Sequence, residues 1–422
     1  MNILIIGGGG REHALAWKIR QNPEIKRIYC IPGNGGIEEI AECCALSMDD
    51  FGRLAAFARE KEVDFTIVGP EQPLVEGIVD YFRSQKLPVF GPIKSAARME
   101  GSKIFAKRLM AKYGIPTARF SEFGNPAAAL AYIDSLPEQP LVVKADGLAA
   151  GKGSVVCPDR AGARRSVDEM MNRRIFKDAG ARVVIEECMS GEEVSLFVIA
   201  DGKDYLTLTP AQDYKRALDG DRGKNTGGMG SYAPTPFLTA ELRDRAIREV
   251  VEPTLSALQS EGIEYTGVLY CGLMLTADGP KVIEFNCRFG DPETQAVLPL
   301  LKSDLLEIVQ AAHSRSLGKL RLQLDDAHAV CVVLASGGYP DVYETGKEIR
   351  GLDNLPEDVL VFHAGTRWEG EKLLAAGGRV LGVTAVDSEL PGAARRVYAA
   401  IPQIHFEKIH YRSDISRRAW KK

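Results

Sequence analysis

The chain has 422 residues, 45% of them hydrophobic and 26% charged, which are the proportions of a globular protein and leave no compositional case for disorder or a fibre. At roughly 150 residues per domain, that length calls for about three domains. The 53 basic and 57 acidic residues leave a formal charge of −4, so no overall basic field exists to hold nucleic acid or an anionic membrane, and any anionic ligand must be met locally.

In the first hundred residues short apolar runs alternate with amphipathic stretches: ILII and EHALAWKIRQN, RIYCI and FGRLAAFAREK, FTIV and PLVEGIVDYFRSQ, then PVF. Strand and helix alternating at this spacing predict a Rossmann-like α/β domain, a parallel sheet wrapped by helices, over 1–101. From Ser102 the pattern changes. A helix from Lys103 to Tyr113, closed by Gly114, leads into the β-rich runs LVVKADG and ARVVIEECM, a smaller α+β lobe at about 115–189. The longer strands EEVSLFVIADG and YTGVLYCGLMLTADGPKVIEFN, with turns at Asp201-Gly202 and Asp278-Gly279, predict an antiparallel sheet in a larger lobe over 190–325. Within it, 210–236 shows no hydrophobic period and reads as a long functional loop. The helix SDLLEIVQAAH follows, and AVCVVLASGGYP opens a small C-terminal α+β domain over 326–422.

Eight cysteines, among them adjacent Cys43 and Cys44, form no C-x-x-C pair, so neither a zinc site nor a disulfide framework is legible and reduced thiols in a cytoplasmic protein are expected. The start MNILIIGGGG lacks the features of a signal peptide, and no window reaches the roughly 18 apolar residues of a membrane span. No membrane or nucleic-acid partner is expected.

Gly7 to Gly10 join a strand to a helix, where backbone N–H groups and the helix start offer a phosphate site. A dinucleotide fold fails here: Glu12 and His13 occupy the third-glycine positions of the two G-x-G registers, and no acid follows RIYCI to hold a ribose diol. A monophosphate site is the reading, with a plain tight turn as the alternative. Gly69-Pro-Glu71-Gln-Pro73 lies at the same sheet edge, where Glu71 is placed for a sugar hydroxyl or begins an ordinary turn. Lys144-Ala-Asp-Gly-Leu-Ala-Ala-Gly-Lys152-Gly puts one lysine at a strand end and another on a glycine-rich loop, two cations for a polyphosphate; it is not a Walker A loop, because Gly153 follows Lys152. Ile185 to Met189 turns through Ser190-Gly191 into Glu192-Glu193, which offers an adenine a backbone edge and its ribose a carboxylate, or is an ordinary strand, turn and strand with surface glutamates. Glu284 and Asn286 stand two apart on a strand, hence on one face, as oxygen ligands for magnesium. Arg288 and Asp291 follow in CRFGDPETQ, where Arg288 is placed to grip a small carboxylate. Asp213, Lys215, Arg216 and 225–230 suggest a substrate cover, and His13 is the one histidine beside a candidate site.

These lysines, the E-E-x-x-x-G-E-E edge and the E-F-N pair together resemble the ATP-grasp superfamily. GGGGREHAL, GPEQPLVEG, KADGLAAGKG, NTGGMG and above all NCRFGDPETQ are similar to the glycinamide ribonucleotide synthetase (phosphoribosylamine–glycine ligase) family across essentially the whole chain. The resemblance implies a two-lobed ATP-grasp centre over 102–325 and a monomer that joins glycine to phosphoribosylamine, with ATP as cosubstrate and Mg2+ or Mn2+ as cofactor. It implies Lys103, Lys144, Lys152, Glu186 and Glu193 as nucleotide-binding residues, with Lys144, Lys152 and Arg288 catalytic and Glu284 and Asn286 on the metal. Gly8, Gly9, Gly10, Arg11, Glu71, Asp213, Arg288, Gly290 and Asp291 are implied on the substrate side. Many superfamily members carry a further acidic metal ligand on the preceding strand; here that strand reads Tyr270-Cys271-Gly272-Leu273. A ligase of another small acid and a non-catalytic nucleotide-binding regulator are the competing readings.

Overall fold

The computed structural model describes residues 1–149 and 151–420. The chain opens as a parallel five-stranded sheet in the order β3-β2-β1-β4-β5: β1 (Asn2–Gly7), β2 (Arg27–Pro32), β3 (Glu42–Cys43), β4 (Phe65–Val68) and β5 (Val89–Phe90). Ile3, Leu4, Ile5 and Ile6 of β1 are all fully buried, as a central strand covered by helices on both faces requires. The covering helices are α1 (Gly10–Ile19), α2 (Phe51–Glu60), α3 (Glu71–Glu76) and α4 (Ile78–Ser84). PLVEGIVDYFRSQ, read as one amphipathic stretch, breaks into α3 and α4 at Gly77, whose φ of 101° ends the first helix in the left-handed region.

Two helices lead on, α5 (Lys94–Gly101) and α6 (Lys103–Tyr113). The Ser102 hydroxyl caps α6 by accepting from the Phe105 N–H, and Gly114 closes it at φ 69°. The smaller lobe is an antiparallel sheet, order β6-β9-β7-β8, built from β6 (Phe120–Phe123), β7 (Leu141–Ala145), β8 (Ser154–Cys157) and β9 (Val183–Glu187), with α7 (Pro126–Ser135) and α8 (Arg160–Val167) packed on it. It has a core of its own around Ile133, Val143, Val167 and Ile185.

The larger lobe carries the sheet β11-β10-β16-β17, where β10 is Glu192–Asp201, β11 Tyr205–Thr207, β16 Thr266–Thr276 and β17 Gly279–Asn286. The stretch 210–236 is not a structureless loop. It holds β12 (Gln212–Asp213), β13 (Arg216–Leu218), β14 (Arg222–Asn225) and β15 (Gly230–Ala233), of which β12 and β15 belong to the C-terminal sheet. They escaped sequence reading because strands of two to four residues carry no measurable period; distant partners define them, as when Gly230 pairs with Val332. Helices α9 (Ala240–Ala246), α10 (Glu252–Ser260), α11 (Thr294–Val297) and α12 (Leu305–His313) complete the middle of the chain, and Asp304 caps α12.

The C-terminal sheet runs β12-β15-β18-β23-β20, using β18 (His328–Ser336), β20 (Val359–His363) and β23 (Arg379–Asp387), and β24 (Ile409–His410) also pairs with β18. A small sheet of β19 (Lys347–Glu348), β21 (Thr366–Glu369) and β22 (Lys372–Ala375) and the helix α13 (Leu390–Ala400) flank it. One core cluster joins Ile3 of the N-terminal sheet, Phe197 of the larger lobe, α11 and α12, and Phe362 of the C-terminal sheet. These three parts therefore form one foundation, and the smaller lobe stands against it with a separate core. Among the described residues no helix is long and apolar enough to cross a membrane.

Candidate active site

A cleft of about 800 Å³ opens between the smaller lobe and that foundation. On its smaller-lobe wall, β7 and β9 pair so that Lys144 and Glu186 reach each other. The Lys144 Nζ is 3.0 Å from Glu186 Oε2 and donates to the Ile283 carbonyl at 2.9 Å. The other Glu186 oxygen is 3.1 Å from the Nζ of Lys107, which donates to Thr117 Oγ1 at 2.7 Å, and that hydroxyl donates to the Val282 carbonyl. All three charged side chains are about 97% buried. Glu186, expected on the nucleotide, is thus held between two lysines. Burial and the neighbouring Lys144 push the Lys107 ammonium down to about 8 against the pull of Glu186. Lys103, one turn before Lys107 on α6, also lines the cleft.

Lys152 lies elsewhere: its ammonium donates to the Pro340 carbonyl at 2.9 Å, on a C-terminal loop, while Gly151 and Gly153 beside it line the cleft. Ala150 of the expected lid lies outside the described residues.

On the opposite wall Glu284 and Asn286 both line the cleft from β17, across from Gly272 and Tyr270. Lys215 bonds the Glu193 carboxylate and lies 3.8 Å from Glu284 Oε1. Burial opposes ionisation of Glu284, yet Lys215, Lys103, Lys144 and Arg288 hold its carboxyl down at about 2. Asp213 goes the other way: burial first, then Glu293, Glu193 and Glu284, push it up against Lys215. No acid sits on the strand before Glu284, but Asp213, Glu193 and Glu293 reach the same corner from other elements. An ionised carboxylate and an amide on one strand face are the hard oxygen donors that Mg2+ or Mn2+ takes, so Glu284 and Asn286 fit such an ion.

The glycine turn is closely packed against the rest of the chain. A Cβ on Gly8 would overlap the Gly33 carbonyl oxygen, so close backbone approach explains that glycine, and one on Gly10 would meet the end of the Gln295 side chain. The Gly9 N–H, however, donates to Glu12 Oε2 at 2.6 Å and the Arg11 N–H to Asp291 Oδ2 at 3.2 Å. Carboxylates of the chain already occupy those donors of the helix start. Glu12, noticed only for breaking a dinucleotide fingerprint, caps α1 from its third position.

Arg288, expected to face a substrate carboxylate, is engaged by two of the chain's own. Its Nη2 is 2.9 Å from Glu100 Oε1 and its Nε 3.3 Å from Glu71 Oε2. Burial pushes Glu71 up, but Arg288 and Arg11 outweigh it and bring the carboxyl down to about 2. Arg11 donates through Nε to Glu12 and through Nη1 to the Phe289 carbonyl. A Cβ on Gly290 would meet the Glu293 carboxylate. Asp291 is tied from three sides, by the Arg11 N–H, the Gln295 amide at 3.0 Å and Arg379 Nη1 at 3.2 Å.

Three family models match in series: the N domain of phosphoribosylglycinamide synthetase over 1–100, its ATP-grasp (A) domain over 101–294 and its C domain over 329–418. The chain belongs to the phosphoribosylglycinamide synthetase family. It is 48% identical over 416 residues to a phosphoribosylamine–glycine ligase of Caldanaerobacter subterraneus, covering 99% of both chains, and 50% identical over 423 residues to one of Allochromatium vinosum, again covering 99% of both. A solved phosphoribosylamine–glycine ligase of Thermotoga maritima shares 34% identity at a TM-score of 0.86, over 98% of this chain and 100% of that one. The biotin carboxylase domain of a Hydrogenobacter thermophilus 2-oxoglutarate carboxylase, at 15% identity, has the same fold, with a TM-score of 0.72, over 97% of this chain and 91% of that one.

Three cleft residues of this phosphoribosylglycinamide synthetase family member escaped sequence reading. Lys107 had a signal, four residues after Lys103 on one helix face. Glu100 and Arg379 had none, because what makes them part of the cleft is contact with Arg288 and Asp291, at separations of 188 and 88 residues that only the tertiary fold brings together. His13 also has an unforeseen neighbour: the His363 N–H donates to its Nδ1 at 2.8 Å.

Proposed function

We propose that the chain joins glycine to 5-phosphoribosylamine with cleavage of ATP, giving glycinamide ribonucleotide, ADP and phosphate in de novo purine biosynthesis. The observation that carries this reading is the assembly, across one cleft, of Lys144 and Lys103 facing Glu284 and Asn286, with the Arg288–Glu293 turn leading from them to the N-terminal glycine turn.

A carboxylate resists attack by an amine because it repels electron density and has no good leaving group. In the proposed sequence an oxygen of glycine's carboxylate takes the terminal phosphoryl group as the bond to ADP breaks. The phosphoribosylamine nitrogen then attacks the carbonyl carbon of this glycyl phosphate, phosphate leaves with the bonding pair, and the nitrogen gives up a proton. Lys144 from the smaller lobe and Lys103 from α6 hold the phosphates, and Lys152 covers them when it leaves Pro340; positioning and charge neutralisation are what phosphoryl transfer asks of a protein. Glu284 and Asn286 would hold Mg2+ or Mn2+, which would supply further positive charge for the transfer. Glu186 orients Lys144, and Glu193 receives the ribose hydroxyls.

Glycine is a zwitterion, and the ion pairs of Arg288 with Glu71 and Glu100 present both charges it needs. Its carboxylate replaces a chain carboxylate on Arg288, and its ammonium takes the carboxylate released. Gly8, Gly9, Gly10 and Arg11, with Asp291 and Gly290, form the phosphoribosylamine side, and Asp213 lies on the substrate side of the cleft. The chain works as a cytoplasmic monomer, in keeping with eight unpaired thiols. ADP release tests the reading, measured with glycine, with alanine and with no amino acid, each with fresh phosphoribosylamine. Release that requires glycine is expected. Equal release in all three refutes the ligation.

A further inference from the structure

One lysine that these steps do not use lies at the most acidic corner of the cleft. Lys215 is bonded to Glu193 and stands 3.8 Å from Glu284, and Asp213, which itself faces Glu293, acts on it as well. Its backbone is fixed: the Thr226 N–H and hydroxyl both donate to the Lys215 carbonyl, at 2.8 and 2.9 Å, and the Met229 N–H donates to the Tyr214 carbonyl. The half-buried side chain of Lys215 is thereby held at the cleft wall. Of the other cations that act on Glu284, Lys144 is paired with Glu186 and Arg288 with Glu71 and Glu100, while Lys103 makes no ion pair with Glu284 within 4.0 Å, where Lys215 does. In the unliganded chain the positive charge nearest the Glu284 carboxylate is therefore supplied by Lys215.

We infer that Lys215 is a resident counter-ion: its ammonium holds the place of the divalent cation beside Glu284 in the nucleotide-free chain, and withdraws from Glu284 when that ion binds. The inference rests on reading Glu284 and Asn286 as the metal ligands. An ammonium and a divalent cation compete for one carboxylate and repel each other across it, so arrival of the ion and retention of the Lys215 contact exclude one another. Without the lysine, acids that converge from β10, β12, β17 and the turn after β17 would repel one another in an enclosed space. The nucleotide-free chain is thus kept stable without metal, at the expense of weak metal binding until phosphates arrive to take the released ammonium. The device works through Glu284, which makes Lys215 a positioning residue.

The test is Mn2+ binding to the nucleotide-free protein, followed by electron paramagnetic resonance, for the wild type, Lys215→Met, Lys215→Arg and Glu284→Gln. Lys215→Met is expected to bind Mn2+ about tenfold more tightly than the wild type, and to melt at a lower temperature without metal and recover on adding Mn2+, whereas Lys215→Arg behaves as the wild type. Unchanged or weaker binding by Lys215→Met, with binding lost in Glu284→Gln, overturns the counter-ion and leaves the metal site standing. Binding by Glu284→Gln equal to the wild type removes the metal from Glu284 and overturns both. Should Lys215→Met not fold, the wild type decides: after reductive 13C-methylation, the Lys215 resonance shifts on adding Mg2+ if the ammonium is displaced, and an unmoved resonance overturns the inference.

Discussion

Replacing Glu186 by glutamine keeps the shape of the Lys107–Glu186–Lys144 group and removes its one negative charge. Two ammonium groups, each about 97% buried, then share a dry pocket with no counter-ion. At contacts of 3.1 and 3.0 Å and an effective permittivity of about 20, each pair is worth roughly 5 kcal/mol before desolvation is subtracted. Breaking a buried pair from one side costs about 3–5 kcal/mol. The lower end applies here, about 3 kcal/mol, because Lys107 keeps Thr117 and Lys144 keeps the Ile283 carbonyl as neutral acceptors. Urea unfolding followed by circular dichroism measures the loss, and its pH dependence identifies the cause. Lys107 has a folded-state pKa of about 8, below its ordinary 10.5, so between those values the unfolded chain binds more protons and wild-type stability rises with pH. Without Glu186 the folded-state pKa falls further and the rise begins below pH 8. The penalty of Glu186→Gln should therefore narrow as pH climbs toward 8. A loss under about 1 kcal/mol, or one that ignores pH over that interval, would refute the reasoning.

Gly8→Ala forces a Cβ onto the Gly33 carbonyl, and should raise the KM for phosphoribosylamine by about tenfold while leaving ATP affinity within about twofold, since a misplaced binding turn is felt by its own substrate; an unchanged KM would take that substrate away from the turn. Lys152→Ala should cut turnover far more than it weakens ATP binding, as removal of a closing residue does, and equal losses in stopped-flow turnover and equilibrium ATP titration would remove the covering role. Glu71 has a folded-state pKa of about 2 against an ordinary 4.5: its ion pairs stabilise the fold above pH 4.5, and that contribution disappears as pH falls through the folded value. The difference in urea midpoint between wild type and Glu71→Gln should thus shrink from pH 4.5 downward, and a constant difference would show that the carboxylate is not held by Arg288 and Arg11. Chelation of divalent ions should abolish ADP formation and addition of Mg2+ restore it, whereas full turnover in chelator would exclude the ion from Glu284 and Asn286.

The inventory of cleft chemistry was largely legible along the chain because its residues sit at places that local rules mark. Lys144 ends an apolar strand, Glu284 and Asn286 alternate with apolar Ile283 and Phe285, and Gly8 and Gly10 lie where a strand turns into a helix. Helix α6 was readable to the residue, with Ser102 before it and Gly114 after it. The pairing of those residues was not legible. Glu186 meets Lys107, Arg288 meets Glu71 and Glu100, and Asp291 meets the start of α1 only because strands and helices far apart in sequence converge, and a carboxylate carries no mark of which cation will neutralise it. The short strands in 210–236 show the same limit, since the four-residue β15 becomes a strand through β18 and the two-residue β12 through β15. Sequence by itself determined which groups are present and on which face of an element each stands, because those follow from the periods of the backbone. The tertiary structure alone decided which charges compensate which, because burial makes every unpaired charge costly and the fold selects the partner.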